Sequence, residues 1–143
     1  MAKLLFKTSI LSNDIRTPHN IQGAAEALLG LYNAIRDAIW HYNYAVILPT
    51  VDDDYVCDKS QQRANMITFS GVHNDLCTYI DKAIAYQGLS QYQVVDLEWR
   101  EYLSHNVRFY CRRYEYETAI LTLEKYCAIF EQKIQKYLSS DYR

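Results

Sequence analysis

No glycine or proline occurs between Leu89 and Arg143, and this absence constrains the fold more than any other feature of the sequence. Mostly apolar and aromatic side chains recur through this stretch at alternating spacings of three and four residues, which is typical of one face of a helix. A seam that persists beyond three or four heptads indicates a coiled-coil-like helix. Its members are Tyr92, Val95, Trp99, Tyr102, Asn106, Phe109, Arg113, Tyr116, Ile120, Leu123, Cys127, Phe130, Ile134 and Tyr137.

A single unbroken helix over residues 90–139 would be about 75 Å long, which is too long for the core of one small domain. The pattern therefore predicts either one break near Ser104, His105 and Asn106, or a helix that projects and pairs with another chain. We favour the break. Ser90, with Gln93 three residues later, fits a capping box and predicts the start of this segment.

Two helices are predicted before this segment. Thr17 followed by Pro18 is a good helix start, and apolar residues at spacings of three and four predict a helix over 18–47, ended by Pro49. A second helix is predicted to begin at Asp58 or Ser60 and to end at Gly88, a typical residue just past a helix. We expect an all-α single domain over 1–143, with three to four long helices in an antiparallel bundle and an irregular arm over 1–16.

Composition limits the classes of function. A net charge of −2 argues against a nucleic-acid binder that relies on overall positive charge. The four cysteines form no CxxC pair, which predicts reduced thiols in a cytoplasmic protein. No apolar run is long enough for a signal peptide or a membrane span. Tyrosine is unusually frequent, with 14 residues, and its ring suits half-buried positions and interfaces.

A short motif in the last third of the chain could carry chemistry. Arg100 is followed after four residues by His105, in a small helical domain ahead of a long final helix. This arrangement resembles the RxxxxH motif of HEPN ribonucleases. The resemblance implies metal-independent RNA cleavage at a dimer interface, with His105 as general acid or base and Arg100 stabilising charge on the phosphate. Glu101 departs from the family, in which a small polar residue often follows the arginine.

A second motif lies at the start of the first predicted helix. Asp14-Ile15-Arg16-Thr17-Pro18 resembles the H-box of sensor histidine kinases, in which a phosphoacceptor histidine comes first and a long helix follows. Here Asn13 stands at the acceptor position, and asparagine cannot accept a phosphoryl group. The resemblance therefore implies at most a degenerate dimerisation hairpin.

Two groups of residues have spacings that bear on metal binding. His73 and Cys77 are four residues apart and could share a helical face toward zinc, but no second tight ligand pair exists. Residues 52–54 are three aspartates, but Cys57 and Arg63 stand where a calcium-binding EF-hand loop needs glycine and glutamate. We expect buried thiols and a solvated acidic loop, and no metal or other cofactor.

The favoured function is macromolecular association without catalysis, as a homo-oligomer or with a protein partner. The predicted binding residues lie on the long seam, where the polar members would set register in an assembly; they are Tyr102, Asn106, Phe109, Arg113 and Tyr116. The alternative is a HEPN-like RNase or toxin that uses Arg100 and His105. Arg108, Arg112 and Arg113 lie among aromatic residues, so nucleic acid binding is possible but not favoured, because glutamates lie nearby.

Overall fold

The computed structural model describes residues 18–51 and 58–141. These residues form four helices and, within those ranges, no β-strand, which confirms the predicted all-α bundle. The predicted irregular arm over 1–16 lies outside the described residues.

The first helix, α1, has three parts: an α-helical part, His19–Tyr42, a π-helical turn, Asn43–Ile47, and a short α-helical end, Leu48–Val51. The prediction that Pro49 ends this helix at residue 47 is therefore wrong. In an α-helix the proline ring clashes with the carbonyl four residues earlier. A π turn directly before Pro49 widens the backbone at that carbonyl and lets the helix continue.

The second helix, α2, spans Lys59–Ile84. The Asp58 carboxylate accepts a hydrogen bond from the Gln61 backbone N–H at 2.7 Å, which confirms the cap at Asp58. The helix ends at Ile84, before the predicted Gly88. The Gly88 carbonyl instead accepts a bond from the Asn20 side chain at 2.6 Å. This bond holds the start of α1 beside the end of α2, so the two helices run antiparallel.

The third helix, α3, consists of Gln93–Tyr102, a π-helical turn, Leu103–Arg108, and Phe109–Arg112. The predicted capping box is wrong, because the helix begins at Gln93 and the Ser90 N–H closes a turn to Gln87. The predicted break near 104–106 is also wrong. The backbone there widens into the π turn and the helix continues to Arg112.

The π turn explains which face of α3 is buried. Val95, Trp99, Leu103, Val107 and Cys111 are all buried and lie four residues apart. In a regular α-helix, sixteen residues would place the first and last of them roughly 160° apart. A π turn takes up one extra residue and returns the later side chains to the core face. The buried face of this helix therefore differs from the predicted seam, and Phe109 is exposed instead of buried.

The actual break lies at 113–115, before the fourth helix, α4, which spans Tyr116–Asp141. The Glu115 N–H donates to the Tyr110 carbonyl at 2.9 Å, and the Tyr114 N–H donates to the Cys111 carbonyl at 3.1 Å. This pair of bonds is the Schellman motif that ends many helices. Glycine usually occupies its left-handed position, but here Tyr114 does, with φ 62°. Because no glycine marks this helix end, the sequence pattern did not predict it.

All four helices contribute to one core. Trp99 of α3 is fully buried, and its indole N–H donates to the Ala83 carbonyl of α2 at 2.8 Å. The same ring packs against Tyr126 and Phe130 of α4. None of the described helices is both long and apolar enough to cross a membrane.

Candidate binding pocket between the first and last helices

Two irregular backbone segments meet at one end of the bundle and open a pocket between them. One is the π turn of α1, and the other is the turn at 113–115 that leads into α4. The cavity has a volume of about 420 Å³, within the range of small-ligand sites. We call it the aromatic pocket; its lining residues are Ile39, Trp40, Tyr42, Asn43, Ile47, Tyr114, Glu115, Tyr116, Glu117 and Thr118.

Tyr114 forms one wall of the pocket, and its own backbone is in a strained conformation. A non-glycine residue in the left-handed region costs about 1–2 kcal/mol. Its ring stacks on the imidazole of His73 of α2, with centroids 4.6 Å apart and planes at 24°. Backbone strain of this kind persists only where surrounding contacts hold it, and it clusters at functional sites.

Tyr42, Tyr114 and Tyr116 form an aromatic corner in the pocket. The rings of Tyr42 and Tyr114 are nearly parallel, at 17°, with centroids 6.5 Å apart. The ring of Tyr116 stands at 73° to Tyr42 and at 89° to Tyr114. Phe69 of α2 packs behind all three rings and is itself buried.

A hydrogen bond behind the pocket fixes the ring of Tyr116. The His73 Nδ1 atom lies 2.6 Å from the Tyr116 hydroxyl oxygen, and the Cys77 Sγ atom lies 3.7 Å from His73 Nε2. Burial lowers the pKa of His73 and raises the pKa of Tyr116, because burial disfavours the charged form of each group. At neutral pH this is a bond between a neutral imidazole and a neutral phenol, which suits a positioning role.

The outer rim of the pocket exposes aromatic surface. Trp40 is 60% exposed, and its ring contacts that of Tyr44 at a centroid distance of 5.1 Å. Ile47, one turn further along α1, is also exposed, as is Tyr114 across the opening. Large apolar side chains that cluster around a cavity are a feature of binding sites more than of ordinary surface.

The charge of the pocket comes from Glu115 and Glu117. The Glu115 carboxylate lies 3.3 Å from the Arg113 guanidinium in an exposed ion pair. Glu117 is exposed and forms no ion pair within the described part of the chain. Among the residues that the structure describes, no lysine, arginine or histidine lines the pocket.

The RxxxxH residues lie elsewhere in the molecule. The Arg100 Nε atom lies 3.5 Å from a carboxylate oxygen of Asp96, one helical turn earlier. His105 is exposed and lines a separate groove between α3 and α4 that does not include Arg100. The helix does not break between the two residues.

The predicted binding residues do not share one surface. Tyr102 and Asn106 line the groove of His105, where Tyr102 stacks on Tyr126 at 4.7 Å. Phe109 lies on another part of α3, with the Arg113 guanidinium 5.2 Å from its ring. Tyr116 alone belongs to the aromatic pocket.

Sequence reasoning missed most of the pocket. Trp40, Tyr44 and Ile47 follow one another at spacings of four and three, on a side of α1 different from its buried stripe. This second apolar stripe was the available signal. Tyr114 gave none, because nothing in its local sequence marks a left-handed residue.

Three other predictions concern the H-box and the metals. Of the H-box residues only Pro18 is described, and it lies just before α1. His73 and Cys77 are neighbours as predicted, but no third cysteine, histidine or carboxylate joins them among residues 18–51 and 58–141. The three aspartates at 52–54 lie outside the described residues.

Comparisons of the chain with protein-family models, with curated proteins and with solved structures found no match.

Proposed function

We propose that this protein acts by association with another protein, and that the partner binds at the aromatic pocket and its exposed rim. The observation that carries the proposal is the exposure of Trp40, Ile47 and Tyr114 around one cavity. Tyr44, whose ring contacts that of Trp40, extends this exposed surface beyond the cavity. Tryptophan and tyrosine are enriched among the residues that dominate binding energy at protein interfaces.

The rigidity of the pocket supports the same function. Both of its irregular segments lie on or between helices whose buried faces belong to the core. The bond between His73 and Tyr116 fixes one wall from behind. A preformed site loses less conformational entropy on binding than a mobile loop does.

Site-specific photocrosslinking in the native host tests the proposal. A photoreactive phenylalanine derivative replaces Tyr44 at the rim, and in a control it replaces Ile67, which is exposed on α2 and does not line the pocket. We expect a discrete adduct from position 44 alone. Its mass distinguishes a second copy of this chain from a different protein. Equal adducts from both positions, or none from position 44, would contradict the proposal.

The RxxxxH interpretation stays a prediction. Purified protein is incubated with RNA in the presence of a metal chelator, with and without the substitution His105→Ala. Cleavage that falls by about two orders of magnitude on this substitution, the usual size of an acid–base contribution, would favour the nuclease over association.

A further inference from the structure

We propose that the aromatic pocket binds an ammonium group, and specifically a lysine or methylated lysine side chain presented by the protein partner. This inference rests on the proposed function and adds the chemistry of the group that enters the cavity. It follows from three features of the pocket: its aromatic lining, its charge and its size.

The aromatic lining is the first feature. Trp40, Tyr42, Tyr114 and Tyr116 all line the cavity, and three of these rings stand at nearly parallel or nearly perpendicular angles to one another. An ammonium group within about 6 Å of a ring centroid is attracted by the electron-rich face, most strongly by that of tryptophan. A pocket lined by several aromatic rings suits a cation with an apolar stem.

The charge supplies the second argument. Two carboxylates, Glu115 and Glu117, line the cavity, and none of the lining residues within 18–51 and 58–141 is cationic. The only partner of Glu115 among the described residues is Arg113, whose guanidinium also lies over the ring of Phe109, away from the pocket. An incoming ammonium group would therefore meet carboxylate charge that is only partly neutralised.

The N-terminus of α4 at Tyr116 contributes positive charge, which reduces the negative charge of the two carboxylates but does not reverse it. A helix N-terminus carries roughly half a positive elementary charge, whereas the two carboxylates carry about two negative charges. If Arg113 is taken to neutralise Glu115, Glu117 still leaves the described lining residues with a net negative charge. This sign disfavours phosphate groups, and hence a nucleic acid, as the occupant.

The size supplies the third argument. A cavity of about 420 Å³ holds an ammonium head together with the methylene groups that carry it. The apolar side chains of Ile39 and Ile47 line the same cavity and can pack against such a stem. Lysine buries its stem against apolar surface in this way while its charge stays near polar groups.

Matched pairs of charged and neutral probes test the assignment. The first pair is the lysine and norleucine amides, both N-acetylated, which differ in the ammonium group. The second pair is choline and its carbon isostere, in which tert-butyl replaces trimethylammonium. Trp40 is the reporter of binding, since the only other tryptophan, Trp99, is fully buried in the core and hydrogen-bonded to Ala83. Sodium chloride at equal ionic strength controls for salt.

We expect saturable changes in tryptophan fluorescence with the charged member of at least one pair, and about tenfold weaker binding of its neutral member. The lysine pair reports a primary ammonium of a side chain, and the choline pair reports a methylated or free quaternary ammonium. Glu117→Gln should weaken the charged probe several-fold and leave the neutral probe unchanged. Glu124→Gln, an exposed position two turns further along α4 and outside the pocket, is the matched control.

Equal binding of the charged and neutral members, or no binding of any probe, would overturn the ammonium assignment. Neither result affects the crosslink from position 44, which tests the proposed association with another protein separately. Conversely, selective binding of choline without a crosslink would overturn the protein partner and leave a small-molecule amine as the occupant. Urea unfolding of Glu117→Gln shows whether a loss of binding reflects only a loss of stability.

Discussion

At the scale of single residues, the unusual feature is a tyrosine where helices usually end in glycine. Tyr114 adopts φ 62° and still contributes a ring that stacks on His73 and lines the aromatic pocket. Glycine would relieve the backbone strain but would remove this wall. The strained backbone lowers stability, and the ring that it carries belongs to the pocket that we propose binds a partner.

A pair of substitutions separates the strain from the ring. Tyr114→Gly and Tyr114→Val both remove the aromatic contacts, but valine is β-branched and tolerates the left-handed region poorly. We expect the glycine variant to be more stable than the valine variant by about 1–2 kcal/mol in urea unfolding. Equal stabilities would mean that position 114 does not adopt a left-handed conformation in solution.

At the scale of elements, the π turns of α1 and α3 have different consequences. The turn in α1 lets the helix pass Pro49 and supplies Asn43 and Ile47 to the pocket. The turn in α3 keeps the residues before and after it on the same buried face. In each helix the π turn inserts one extra residue, which changes which of the later side chains point inward.

Deleting one residue from the α3 turn tests this role. Removal of His105, which is exposed, should convert the turn to regular α-helix and leave Leu103, Val107 and Cys111 on the core face. We expect the free energy of unfolding, measured in urea, to stay within about 1 kcal/mol of the parent, as for a change at an exposed site.

Removal of Glu124 from α4 is the control. That residue is also exposed but lies in regular α-helix, where one deletion rotates everything beyond it by about 100°. Cys127, Phe130 and Ile134 would leave the core, at about 1.5–3 kcal/mol for each large side chain. Similar losses in both deletions would contradict the assigned π turn.

At the scale of the whole molecule, one core joins all four helices, and the bond between His73 and Tyr116 links α2 to α4 across it. Burial lowers the pKa of His73 from its ordinary value of 6.5. The unfolded chain therefore binds a proton on this residue at a higher pH than the folded chain does. The free energy of unfolding should fall as the pH decreases through 6.5 toward the lower pKa of the folded state.

The substitution His73→Gln isolates this effect, because glutamine can keep a hydrogen bond to Tyr116 but does not titrate. We expect the stability advantage of the parent over the variant to be largest near neutral pH and to shrink below about pH 6.5. Urea unfolding at a series of pH values measures it. A difference that stays constant with pH would contradict a partly buried, neutral His73.

The sequence by itself determined the helical class, because long stretches free of glycine and proline carry apolar residues at helical spacing. The sequence also predicts a cap at Asp58 or Ser60, of which the structure has Asp58, and most of the buried stripe of α1. These features depend on residues close together in the chain. Such local features need no knowledge of the rest of the fold.

The break in the long segment and the position of the pocket depend on tertiary packing. Tyr114 tolerates its backbone conformation because His73, from a different helix, holds its ring. The π turns arise because the core accepts only certain side chains from each helix, whatever the local spacing. The pocket joins residues 39–47 to residues 114–118, which are distant in sequence, so its geometry depends on packing between helices that a linear pattern does not encode.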